Sequence, residues 1–152
     1  MKIQNLKRFE RKLAALPKAA KQQMREAISK SADEIVELQQ RLVAVKSGDL
    51  KQSITWRWGT EQKVAYSQQL GTVAGGHELS VVISAGNAKV RYAHLVEFGS
   101  SEHKAGGKFE GATIPAIPAK PFFYPGYRTG NKRARSRIAR AVSKAAKAVA
   151  SE

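Results

Sequence analysis

The segment "RYAHLVEFGS", Arg91 to Ser100, sets the reading of the chain. Tyr92, Leu95 and Val96 share one side of a single helical turn, and Gly99 lets the backbone leave that turn in a left-handed conformation. On this geometry Glu97 points away from the apolar side, free to bind a basic residue of the same chain or of a neighbour. Downstream, "SSEHKAGGKFEGAT" reads as a polar, glycine-rich loop, about as long as a loop runs without a function or disorder. "IPAIPAKPFFYPGYR", Ile114 to Arg128, follows it. Prolines at 115, 118, 121 and 125 oppose a regular ladder and favour an extended, polyproline-like path. Phe122, Phe123 and Tyr124 then sit on a stiff strap that laces onto the chain's own core or onto the next subunit.

Working outward toward the start, Ile3, Leu6, Phe9, Leu13 and Leu16 mark a short amphipathic helix over 3–16, and Pro17 suits the first turn of another. Met24, Ile28, Ser31, Ile35, Leu38, Leu42 and Val45 alternate steps of four and three, which predicts one helix to about Val45 with a single apolar seam. Three heptads are short for an independent coiled coil, so the expected partner of that seam is a sheet, with a neighbouring subunit as the alternative. "KSGDLKQSITWRWG" ends the helix at Gly48 and opens a strand, with Ile54, Trp56 and Trp58 alternating with Thr55 and Arg57. "QKVAYSQQL" is a weaker strand, "GTVAGG" a turn, and "ELSVVISAG" a strand buried through Leu79, Val81 and Ile83. The two tryptophans read as core. The fold expected is α+β: a long N-terminal helix packed on a small antiparallel β-sheet, with a C-terminal basic amphipathic helix. At 152 residues this is one domain. It comprises a helical region 1–46, a sheet region with a short turn 47–99, a loop and proline strap 100–128, and the last helix 129–152.

The net charge of +15 is unevenly placed. Residues 1–25 hold eight Lys or Arg against Glu10, residues 26–110 hold ten of each sign, and Gly111 to Ser151 hold nine basic residues and no acid. Within the last helix, expected from about Asn131 to Ala150, Arg133, Arg137, Arg140, Lys144 and Lys147 fall along one line. Ala134, Ile138, Val142, Ala145 and Val149 form a slim apolar stripe beside it. A purely solvent-facing helix gains from interleaved Glu and Lys; here like charges are neighbours. The stripe therefore suits nucleic acid, an acidic protein surface, or solubility, and carries no interleaved aromatics for stacking on single strands. Phosphate attraction without sequence reading is the most it implies.

Several classes are disfavoured. There are no cysteines, hence no disulfide scaffold or zinc–thiolate site. The start lacks the apolar run of a secretory signal, and no stretch of about 18 apolar residues is present, so an intracellular product without membrane contact is expected. His94 and Glu97, three apart in "HLVE", supply two possible metal ligands where a site needs three or four. No nucleophile elbow or phosphate-cradling loop occurs. The expectation is a non-enzyme with no catalytic residue, metal or cofactor.

Three segments together resemble the tail-completion, or head-to-tail joining, proteins of long-tailed bacteriophages, also called neck or minor tail components. "SGDLKQSI" (Ser47 to Ile54), "YAHLVEFG" (Tyr92 to Gly99) and "PAKPFFYPG" (Pro118 to Gly126) are similar to that family's motifs in order and spacing. Ser100 stands where threonine is usual, Gly126 where alanine is, and 61–76 is longer than typical. The resemblance implies an α+β virion protein made in the host cytoplasm and assembled as a six-fold homo-oligomeric ring. Its partners are then the head connector or stopper, the tail terminator or tube, and genomic DNA passing through without sequence specificity. A ring needs heterologous contacts, and Tyr92, Glu97, Phe98, Pro121, Phe122 and Phe123 are the candidate interface residues. Arg133, Arg137, Arg140, Lys144 and Lys147 are the candidates for facing DNA or an acidic partner. The competing readings are a nucleoid-type, sequence-independent nucleic-acid-binding protein and a metal-dependent hydrolase built on His94 and Glu97.

Overall fold

The computed structural model describes residues 18–61 and 78–150. The helix expected over 3–16, the strand in "QKVAYSQQL" and the turn in "GTVAGG" lie outside them. The elements run α1 (Lys18–Leu42), α2 (Asp49–Gln52), β1 (Thr55–Trp58), β2 (Val81–Ser84), α3 (Ala93–Phe98), β3 (His103–Lys104), β4 (Thr113–Ile114) and α4 (Phe123–Ala150). This is the expected α+β arrangement, with α1 laid on a small antiparallel sheet and a long C-terminal helix alongside.

The seam of α1 holds through Met24, Ile28, Ser31 and Ile35 and then turns, burying Gln39 and, just past the helix, Val43, while Leu42 is 50% exposed; the helix ends at Leu42, short of the expected Val45, which lies beyond it and is 65% exposed. A repeat of 3.5 drifts about 20° per heptad around a helix of 3.6 residues per turn. Against a partner that does not supercoil, the buried line shifts to steps of four. That partner is α4, which packs along α1 more extensively than the sheet does. The two helices run antiparallel: Gly126 lies on Gln39, Gly130 on Ile35, Arg137 on Ser31, and Ala145 joins Ala20 and Met24 in a small core cluster. A Cβ at Gly126 would stand 2.6 Å from Gln39 Cγ and 2.9 Å from its backbone nitrogen. The absent side chain is what lets the backbones approach.

β1 and β2 pair antiparallel, with Thr55 opposite Ser84 and Trp58 opposite Val81. The burial of β2 is the reverse of that expected: Val82 and Ser84 are buried and Val81 and Ile83 half-buried. Val81 and Ile83 share their face with Trp56 and Trp58, and that face meets a polar flank of α1. Trp56 Nε1 donates to Asp33 Oδ1 at 2.6 Å, and the Arg25 guanidinium lies 4.0 Å over the Trp58 ring. The tryptophans are therefore half-buried props between sheet and helix instead of central core. Gly48, at φ 89°, leads into α2 before the strand opens.

The main core forms where the helical elements meet the sheet. Val43, Leu50, Ile54, Ala85, Val90, Ala93, Phe122 and Phe123 pack together, bringing the end of α1, α2, the sheet, α3 and the start of α4 to one point. Phe122 is fully buried, so the proline strap laces onto its own chain at this residue.

Candidate functional site

The link between the two marked segments is Glu97. On α3 the buried positions are Ala93 and Glu97, while Tyr92 is 41% exposed. The carboxylate thus points into the protein, opposite to the expectation, and it binds backbone amides instead of a basic side chain. Its Oε2 accepts from the amides of Phe122 (2.7 Å) and Phe123 (2.8 Å), and its Oε1 from that of Tyr124 (3.0 Å). These are the first amides of α4, whose first intrahelical bond runs from Gly126 N to Phe122 O. A helix leaves four such donors without internal acceptors. Here three go to Glu97 and the fourth position is Pro125, which has no N–H. The negative charge also meets the positive end of the helix dipole. Burying a carboxylate is costly unless it is paired and hydrogen-bonded, and this cap supplies both the bonds and the opposing dipole.

The capped helix starts at Phe123, eight residues before the Asn131 expected from the charge pattern. Pro125 falls in the first turn, where it is tolerated. A signal for this was present. Pro121 and Phe122 offer no Ser, Thr, Asp or Asn to cap a helix, and Gly111 to Ser151 contain no acid, so a cap had to come from elsewhere.

Gly99 closes the same corner. Its φ is 72°, and a Cβ there would lie 2.6 Å from the Ile117 carbonyl oxygen and 2.9 Å from Ala119 N. The strap is held against it by Ser100 and Ile117, which exchange both backbone bonds, and by Lys120 N donating to Val96 O. The structure thus brings Glu97, Phe122 and Phe123 together inside the chain. Phe98, 60% exposed, and Tyr92 and Pro121 stay at the surface. Phe98 rests on Tyr124, with ring centroids 6.0 Å apart.

The cationic stripe on α4 is broken at its second member. Arg133, Arg140, Lys144 and Lys147 are exposed. Arg137 turns toward α1, donating to Ser31 Oγ (3.1 Å) and pairing with Glu34. The Arg137 hydrogen bond holds the Glu34 carboxyl below its ordinary range, with smaller contributions from the Arg137, Arg133 and Lys30 charges against a desolvation that works the other way. Ser31, the polar member of the α1 seam, therefore receives an arginine instead of interrupting an apolar contact. Arg140, Lys144 and Lys147 surround a shallow groove floored by Ala139 and Ser143. Among the described residues no group of three or more His, Cys, Asp or Glu is placed to hold a metal. Both oxygens of Glu97 are committed to amides, and His94 sits half-buried on α3.

A helix pair locked by a buried carboxylate, carrying a cationic outer face and lying on a small sheet, defines a basic α+β scaffold whose exposed chemistry is charge and shape. The chain belongs to the bacteriophage HK97-gp10-like family of tail components, whose family model matches residues 7–99. Neither curated proteins nor solved structures give a match. Membership makes this a phage structural protein of the virion tail. The match ends at Gly99, so it includes Glu97 but not the helix that Glu97 caps. Among the described residues no helix is long and apolar enough to cross a membrane.

Proposed function

We propose that the protein is a non-catalytic ring subunit of the phage neck, completing the tail and joining it to the head connector, with genomic DNA passing through the lumen. The observation that carries this reading is the exposed cationic row Arg133, Arg140, Lys144 and Lys147 on a member of a phage tail-component family. Four exposed cations on one helix face, with only Arg137 of the original five engaged by a carboxylate among the described residues, repel one another unless an anion lies opposite. In a six-fold ring the copies bring roughly +90 formal charges around one axis. Attraction to phosphate is then sequence-blind and falls with salt, which suits a channel that must hold DNA loosely and release it. Tyr92, Phe98 and Pro121, exposed on the surface of the Glu97 corner, are the members of the candidate interface available to a neighbouring subunit.

Electron microscopy of the purified protein and of particles tests this. Rings of the isolated chain and density for it at the neck are the expected result. A stable solitary molecule in the mature particle, or its absence from the particle, refutes the reading. Tight salt-sensitive DNA binding by a monomer that never forms rings would favour a nucleoid-type role instead.

A further inference from the structure

The segment expected as an irregular loop is a β-hairpin. Ser100 pairs with Ile117, His103 with Ile114 and Lys104 with Thr113, and Ala105 N donates to the Ala112 carbonyl at 2.8 Å. The ladder proper is His103–Lys104 against Thr113–Ile114; the Ser100–Ile117 bridge stands apart from it, out of phase with the Ala105–Ala112 bond, so the two strands are irregular between bridge and ladder. A short 3-10 turn, Gly107–Phe109, forms the tip. Pro115, which has no N–H, falls between the isolated bridge and the ladder, and Pro118 lies just beyond the bridge.

This hairpin stands away from the protein. Every residue from Ser101 to Pro121 is exposed except Ala105, which is half-buried. A Cβ at Gly106, Gly107 or Gly111 would meet nothing within 4 Å. Phe109 at the tip is 75% exposed, and Ile114 and Ile117 are 36% and 40% exposed. An isolated two-stranded hairpin is marginal in water, and this one buries almost none of its own side chains.

Its two faces differ. Cross-strand partners point to the same side and alternate residues to opposite sides. His103, Ala105, Ala112 and Ile114 therefore share one face, free of formal charge with His neutral. Lys104 and Thr113 fall on the other. From Ser100 to Ile117 two lysines and two glutamates cancel, on a chain of net charge +15.

We propose that this hairpin is an assembly arm that seats its uncharged face and Phe109 on a second copy of the chain, with Leu42 at the end of α1 and Val45 just beyond it in the receiving surface. The proposal rests on the ring reading above and names the contact that builds the ring. Charge selects the occupant. An arm of zero net charge offers nothing to phosphate or to an acidic protein, both of which would be drawn to α4. Two copies at +15 each repel unless they meet through surfaces without excess charge, and the arm is such a surface. The chain also supplies both halves of an apolar contact: the arm, and the uncovered Leu42 and Val45. Size agrees. The six residues from Ser100 to Ala105, at about 3.4 Å each, give an arm about 20 Å long, enough for its two sides and tip to approach the roughly 800 Å² per partner of an ordinary stable interface. Because the arm and its receiver are different surfaces, the contact is heterologous and closes into a ring when its rotation permits.

The test uses the full chain in sedimentation velocity. The wild type is expected to sediment as a closed oligomer. A variant carrying Phe109→Ser and Ile114→Asp is expected to associate at least tenfold more weakly while keeping the wild-type far-ultraviolet circular dichroism spectrum, because neither side chain enters the core. As the chain has no cysteine, mixing Phe109→Cys with Val45→Cys protein should give a disulfide-linked pair that neither gives alone. If the arm variant forms wild-type oligomers, the arm proposal is overturned and the ring reading survives. If it forms them but is not built into particles, the arm serves another virion protein and the proposal is likewise overturned. A wild type that is monomeric at every concentration overturns both.

Discussion

Replacing Glu97 isolates the joint on which the C-terminal half depends. In Glu97→Ala three amides at the start of α4 lose their acceptor in a buried setting, and the helix dipole loses its counter-charge. Each unsatisfied buried donor costs about 1–3 kcal/mol, and a partly buried dipole partner contributes up to about 2 kcal/mol. The three donors share one carboxylate, so the terms do not add fully; water entering the cavity recovers part of the loss. We expect about 3–5 kcal/mol overall, a large share of the ~5–15 kcal/mol typical of a domain. For a chain of this length each kcal/mol moves the midpoint by about 2–4 °C, giving a drop of about 6–20 °C. Glu97→Gln keeps one oxygen for Phe122 and Phe123 but turns an NH2 donor, or an unfilled gap, toward Tyr124. It should fall between, at about 1.5–3 kcal/mol, the range for a hydrogen bond to a charged group. Circular dichroism melts give the midpoints, and hydrogen exchange at Phe122, Phe123 and Tyr124 reports the cap directly. If Glu97→Ala melts within about 1 °C of wild type, or those three amides stay as protected as before, the cap is not what holds α4 in place.

Gly126→Ala should destabilise by about 1–3 kcal/mol despite the better helix propensity of alanine, because the new methyl meets the backbone of Gln39. Gly130→Ala should cost less, since its new methyl meets the Ile35 side chain at 2.7 Å but no backbone atom nearer than 3.7 Å; equal midpoints for the two would contradict the closer backbone crossing at Gly126. The lowered Glu34 pKa makes a stabilising contribution that is complete above the ordinary carboxylate range and disappears as pH falls through the folded value. Glu34→Gln should therefore be less stable than wild type at pH 7, with the difference closing at strongly acid pH in paired denaturant titrations; a constant gap would exclude the Arg137 clasp as its source. Reversing Arg140, Lys144 and Lys147 to Glu should leave the fold intact and lower the slope of log affinity for duplex DNA against log salt by about three. An unchanged slope would remove these residues from any DNA-facing surface, leaving an acidic protein partner.

What the linear chain determined by itself follows from local periodicity and backbone chemistry. The four-and-three spacing from Met24 to Ile35, the alternation through Trp56 and Trp58, the helical turn at Ala93–Phe98, the positive φ of Gly99 and the cationic row on the last helix are all written within a few residues of where they act. So is family resemblance, carried by three short motifs. Tertiary structure alone decided which side of each element would be covered. Gln39 and Val43 replaced Leu42 and Val45 in the core because the neighbour of α1 is a closely crossing helix, admitted by Gly126. Arg137 left its row because Glu34 and Ser31 stood opposite, a pairing between residues over a hundred positions apart. Glu97 changed from an outward charge to a buried cap because a helix with no capping side chain of its own begins beside it. The polar segment after Gly99 became a hairpin because strap and turn are tied at Ser100 and Ile117. A hydrogen bond or a close contact between distant residues depends on three-dimensional proximity, which composition and spacing along one dimension do not encode.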